Sequence, residues 1–153
     1  MGDWSHAFRA DRWTRLNEDD YESKLRNYSS EDKQFMLPIW QQDRFHKLSF
    51  PEYVEKSRNF SWEDKKFILP VWQRDSFNKR DFLDYVSKSR NYSWEDKKFI
   101  LPVWQQDSFN KRDFLDYVEK SRNFSWEDKK RLLPEWQRSP GGHSFLDYVS
   151  RNR

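Results

Sequence analysis

Four junctions in this chain carry residues that could do chemistry, and each nearly copies the one before. Asn27-Tyr28-Ser29, Asn59-Phe60-Ser61, Asn91-Tyr92-Ser93 and Asn123-Phe124-Ser125 all read Asn-x-Ser, the acceptor pattern for N-glycosylation. With the arginine before each Asn they also read Arg-x-x-Ser, a pattern open to a basophilic kinase, whose phosphate would sit at a helix N-terminus beside that arginine. Lys, Ser, Arg, Asn and an aromatic are also the residue types that hold nucleic acid. Catalytic chemistry has less to stand on. His6, His46 and His143 fall at unrelated positions and read as exposed loop residues, whereas a ligand or base would recur or cluster with acids. Paired acids such as Glu63-Asp64 are adjacent, so they do not share a helix face as an acid/base pair must. Gly141-Gly142 lacks the strand, helix and lysine of a phosphate loop. No catalytic residue, metal ligand or cofactor is expected, and the chain reads as a non-enzyme.

The elements that position these groups must be built from little apolar material. Of 153 residues, 35% are hydrophobic and 36% charged, but 19% are aromatic and nine are Trp. Bulky rings bury much area per residue, so a thin core can still order the chain. With no Cys, disulfides and thiolate metal sites are excluded. The start "MGDWSHAFRADRW" has no apolar stretch, and its Ser5 fits the myristoylation pattern poorly. No run approaches the roughly 18 apolar residues of a membrane span. The expectation is a soluble, intracellular, cytoplasmic protein without membrane contact.

Self-alignment gives a period of 32 residues: repeats at 29–60, 61–92 and 93–124, a shortened capping repeat at 125–153, and a degenerate partial repeat at 1–28. Repeats two and three differ only at Arg74/Gln106, Ser87/Glu119 and Tyr92/Phe124. Ser29, Ser61, Ser93 and Ser125 precede acids and read as N-caps of a helix A. Ser49, Asp81, Asp113 and Ser144 read as N-caps of a helix B, with Ser49-Phe50-Pro51-Glu52 forming a capping box. Pro38, Pro70, Pro102 and Pro134 should kink helix A without ending it, because Phe67/Val71 and Ile68/Trp72 keep four-residue spacing across Pro70. Ile68 and Trp72 should close each hairpin on its own helix B. The Phe67/Val71 face should pack on the next hairpin, because only the last repeat makes it charged, as Arg131 and Glu135 at ion-pair spacing. Asn at each junction is expected to end helix B in the left-handed conformation. The fold class expected is all-α: tandem 32-residue helical hairpins stacked as a short α-solenoid-like array.

The segment "LPIWQQDRFHKLSFPEYVEK" at 37–56 is similar to FF domains in its order of Trp, Asp-x-Phe and Phe-x-x-Tyr. FF domains are longer and carry an additional helix, so no family is assigned. The functional expectation is a non-catalytic, multivalent protein-binding scaffold for a repetitive, oligomeric or filamentous partner. Its candidate contacts are the repeating basic groups Lys56, Arg58, Lys88, Arg90, Lys120 and Arg122 at the junctions, and Lys79, Arg80, Lys111 and Arg112 in the loops. The alternative is a nucleic-acid binder using the same groups, and a third reading is self-association. Charge weighs against the alternative: the net is only +3, and repeat 93–124 holds as many acids as bases.

Overall fold

The computed structural model describes residues 4–139 and 141–153, so the Met1-Gly2 start weighed for myristoylation lies outside them. Among the described residues the chain is all-α, with ten helices and no strand. The A helices are α1 (Ser5–Ala10), α3 (Ser30–Gln42), α5 (Trp62–Arg74), α7 (Trp94–Gln106) and α9 (Trp126–Arg138). The B helices alternate with them: α2 (Glu18–Leu25), α4 (Phe50–Ser57), α6 (Phe82–Ser89), α8 (Phe114–Ser121) and α10 (Phe145–Asn152).

Nine of the ten starts follow from a side-chain cap, while α1, which starts after Trp4, has none. The hydroxyls of Ser29, Ser61, Ser93 and Ser125 accept the N–H three residues on, at 3.0–3.1 Å. Asn17, Asp81, Asp113 and Ser144 do the same for B helices, and Ser49 forms the full capping box with Glu52. The four prolines lie inside unbroken helices. All are exposed, so water can take the carbonyl that proline leaves unbonded.

Within a hairpin, tryptophan closes A on B. Trp40 packs on Phe50 and Trp104 on Phe114, each at 5.4 Å between ring centroids. The indole N–H donates to a loop carbonyl: Trp40 to Leu48, Trp104 to Arg112 and Trp136 to His143, at 2.9–3.1 Å. These rings are buried, and Tyr53, Tyr85 and Tyr117 are fully so. Tryptophan and tyrosine at these repeat positions are core, with Tyr148 in the last hairpin half-buried.

Two compact units divide the chain: residues 1–69 with 79–87, and residues 70–78 with 88–153. The expected contact between consecutive hairpins is present in each. In the first, Phe35 meets Trp62 edge to face at 5.0 Å; in the second, Phe99 meets Trp126 at 5.2 Å. Arg131 stands where Phe99 stands one repeat earlier.

Two local expectations need correction. Arg131 does not pair with Glu135. It reaches back to Asp128 at 3.1 Å, because helical side chains lean toward the N-terminus, and Glu135 instead accepts from the Tyr148 hydroxyl at 3.3 Å. Nor does Asn end helix B in the left-handed region: no described non-glycine residue has positive φ. The chain tightens into i to i−3 bonds, as from Asn59 N–H to the Lys56 carbonyl at 3.1 Å and Phe60 N–H to Ser57 at 3.2 Å. That route avoids the steric cost of a left-handed residue. Only Gly141 and Gly142, in the altered terminal loop, have positive φ, +63° and +79°.

Candidate functional site

Every loop between A and B begins with an aspartate or, in the last repeat, its replacement. Asp43 caps the C-terminus of α3 with extended backbone (φ −76°, ψ 106°) and is only 5% exposed. One carboxylate oxygen accepts the Phe45 N–H at 3.0 Å. The other accepts the Tyr53 hydroxyl at 2.6 Å and the Phe82 N–H at 2.9 Å. Phe82 opens the B helix of the following hairpin, and its N–H is one that no intrahelical carbonyl can reach. A negative group there also suits the helix dipole. Asp11 makes the same three bonds, to Trp13, Tyr21 and Phe50, and Asp107 makes them to Phe109, Tyr117 and Phe145. Asp75 accepts from Phe77 and Phe114. In the last hairpin the position is Ser139, and it is exposed. One buried carboxylate thus ties a helix end, its own hairpin's tyrosine and the next hairpin's first amide.

The rest of the loop is braced as well. Thr14, His46 and Asn110 hold equivalent positions, and each side chain accepts the N–H two residues on, from Leu16, Leu48 and Arg112. His46 is therefore not the exposed loop histidine expected. It is half-buried, its Nδ1 accepts from Leu48 at 3.2 Å, and its Nε2 lies 3.1 Å from the Trp40 carbonyl. With Nδ1 accepting, the proton sits on Nε2 and donates there.

These braced loops push one aromatic outward. Phe45, Phe77 and Phe109 are 38%, 46% and 46% exposed, in a chain whose other rings are mostly buried. Lys47, Lys79 and Lys111 follow two residues later and are exposed. Of the loop residues expected as contacts, Lys79 and Lys111 face solvent, while Arg80 and Arg112 make exposed ion pairs with Asp84 at 3.8 Å and Asp116 at 3.5 Å. Exposed pairs of this kind contribute little and leave the cation open to a partner.

The junction residues are differently placed. Lys56, Arg58, Arg90, Lys120 and Arg122 are exposed and Lys88 is half-buried, 3.9 Å from Glu119. Arg58 lies over the Tyr28 ring at 5.2 Å and Arg122 over Tyr92 at 5.3 Å. Those tyrosines are buried, as are Ser57 and Ser121, whereas the Asn-x-Ser serines Ser29, Ser61, Ser93 and Ser125 are exposed. The Tyr28 hydroxyl donates to Glu55 at 2.8 Å and Tyr92 to Glu119 at 2.9 Å, each 27 residues on. Where the junction aromatic is Phe60, the residue 27 positions on is Ser87, so hydroxyl and acceptor change together. Tyr92→Phe is expected to cost about 0.5–1 kcal/mol by removing the hydrogen bond to Glu119, and in the Glu119→Ser background the same change should cost less. A double-mutant cycle in urea checks this.

One periodic feature had no counterpart in the sequence reading. Lys33, Lys65, Lys97 and Lys129 are buried. The Lys65, Lys97 and Lys129 ammonium groups lie 4.3–4.5 Å from the ring centroids of Trp62, Trp94 and Trp126, three residues earlier. Burial pushes the Lys65 and Lys129 amines down, opposed by Asp32 and Asp96. No group of three or more acids and histidines among the described residues is arranged to hold a metal ion.

The phenols carry a pH signature. Desolvation first, then the bonds to Glu55 and Glu119, push Tyr28 and Tyr92 up to about 12. Tyr21, Tyr53 and Tyr117 are pushed above the tyrosine range by burial and their aspartates. The folded chain thus holds these protons more tightly than the unfolded chain does. Their contribution to stability is intact below about pH 10, where free phenols ionise, and is lost as pH rises through 12. The depressed lysines act with opposite sign below their free value of about 10.5, so the loss emerges above it. Urea midpoints at pH 9 and at pH 11.5 should show a clear fall.

The fold and its loops define a tandem helical-hairpin repeat protein with aspartate-braced aromatic loops. No family model matches the chain, and neither a curated protein nor a solved structure is found similar to it.

Proposed function

We propose that the chain is a non-catalytic, multivalent protein-binding scaffold whose contact points are the loops around Phe45, Phe77 and Phe109. The carrying observation is that phenylalanine, elsewhere in the described residues buried or half-buried, is exposed at the same place in three successive loops. In each, the backbone is pinned by the preceding aspartate at 3.0–3.2 Å. A rigid exposed ring beside a cation loses little freedom on binding, which is what interface anchors require. Lys79, Arg80, Lys111 and Arg112 supply the polar rim. Equal sites on one chain favour a partner that repeats, through effective concentration. Of the junction residues, Lys56, Arg90 and Lys120 remain candidate secondary contacts.

The test compares the chain with a variant carrying Phe45→Ser, Phe77→Ser and Phe109→Ser. Native lysate captured on each is identified by mass spectrometry, and each captured protein is then purified and titrated. The reading expects a defined oligomeric partner whose affinity falls with every loop removed, with the urea midpoint unchanged. Equal capture by the triple variant would refute it. The same chain titrated with single-stranded RNA at two salt concentrations separates the nucleic-acid reading, which needs salt-sensitive binding.

A further inference from the structure

A second site in the first unit shares Arg44 and His46 with the Phe45 loop, and Arg44 lies over the Phe45 ring at 5.6 Å. A cavity of about 260 Å³ there is lined by Ala10, Arg12, Trp13, Trp40, Gln41, Asp43, Arg44 and His46. Its arginines break the repeat. The residue after the loop aspartate is Arg12 and Arg44 in the first two loops, but Ser76 and Ser108 in the next two. The scaffold evidently needs only serine there, so the two guanidinium groups are additions to it. Neither has an ion-pair partner among the described residues. Asp43 on the same wall does not neutralise them by contact, since its oxygens accept from Phe45, Tyr53 and Phe82. Arg12 lies over the Trp13 ring at 5.2 Å, which fixes its position while leaving its N–H edge for an anion. Trp13 replaces the phenylalanine of the other loops and is half-buried, with the His46 ring edge-on at 6.4 Å.

We infer that this cavity binds a nucleotide phosphate, with Arg12 and Arg44 on the phosphate and Trp13 against the base. Two unneutralised guanidinium groups suit a phosphate better than a single carboxylate, because each offers paired N–H donors. The half-buried Trp13 indole, with the His46 ring set at 60° to it, offers apolar ring surface for a base. Gln41, exposed on the same wall, carries an amide donor and acceptor that match a base edge and have nothing to match on a phenyl ring. That favours a nucleotide over a phosphotyrosine peptide.

The experiment is calorimetric titration of the full chain with adenosine 5′-monophosphate, adenosine, inorganic phosphate and a phosphotyrosine peptide. Two variants borrow their residues from the chain's own later loops and so preserve the fold: Arg12→Ser with Arg44→Ser, and Trp13→Phe. The monophosphate should bind more tightly than adenosine or phosphate alone. The double arginine variant should lose about tenfold or more in affinity, and Trp13→Phe should lose less. Several results would overturn the assignment: no binding of the monophosphate, binding unchanged in the double arginine variant, phosphate alone binding as well as the nucleotide, or the peptide binding more tightly.

Discussion

Replacing Asp107 with alanine is expected to destabilise the protein by about 3–5 kcal/mol, a large share of the roughly 5–15 kcal/mol that keeps a domain folded. The carboxylate is 6% exposed and accepts from Phe109, Tyr117 and Phe145 at 3.1, 2.6 and 2.9 Å. Removing it leaves the Tyr117 hydroxyl and the Phe145 amide without an acceptor, on residues that are themselves fully buried. Both are cut off from compensating water. Asp107→Asn should be almost as damaging despite its equal volume. One oxygen of the pair faces two donors and the other faces a third, so whichever way the amide turns, its NH₂ confronts an N–H or O–H. Urea denaturation of both variants measures the effect. A cost below about 1 kcal/mol for Asp107→Ala, the range of an ordinary surface change, would mean the carboxylate is not the tie described. The equivalent change at Ser139, which is exposed, should be nearly silent.

A single hairpin, residues 93–124 as a peptide, is expected to be unfolded, with a circular dichroism spectrum near coil. Its longer helix has 13 residues and its shorter one eight, lengths at which isolated helices are marginal in water. What stabilises them comes from neighbouring repeats. Phe99 loses Trp126, Asp107 loses the Phe145 amide, and the Phe114 amide loses Asp75. Lys97, buried in the whole chain, would be returned to water at no gain to the peptide. A peptide that melts cooperatively on its own would show that stacking is an accessory to hairpin stability instead of its source.

Much of the architecture was legible because it is local. Caps, hairpin closure by Trp72-type residues, and the charged final face at Arg131 and Glu135 each leave a pattern within one repeat or at its end. The aspartate tie was not legible, because its partners straddle repeats: Asp43 meets Phe82, a full period and a loop later. To sequence patterning, a carboxylate after a helix is a solvated surface group. One signal was present and passed over. The aspartate stands at the start of the first four loops and is replaced by Ser139 in the fifth. Likewise, Ser87/Glu119 and Tyr92/Phe124, two of the three differences between the near-identical repeats, form a donor–acceptor pattern once residues 27 apart are compared. Phe109 and Trp104 look equally aromatic in sequence, and only the braced loop makes the first face water. His46 misled for a related reason, since nothing local says that an imidazole can replace an Asn110 side chain as an acceptor. The basic junction residues are exposed as expected except Lys88, which is half-buried beside Glu119. Tyr28 and Tyr92 beneath two of them were not legible, because a ring covered by an arginine shows no pattern of its own.

The account rests on amides at the start of B helices being held by a carboxylate from the hairpin before. Hydrogen exchange reads this directly. First-turn amides ordinarily exchange quickly, having no intrahelical acceptor. Those of Phe50, Phe82, Phe114 and Phe145 should instead be among the slowest in the chain, exchanging only on global unfolding. If these four exchange as fast as the neighbouring first-turn amides, the aspartate tie, and the stacking built on it, is wrong.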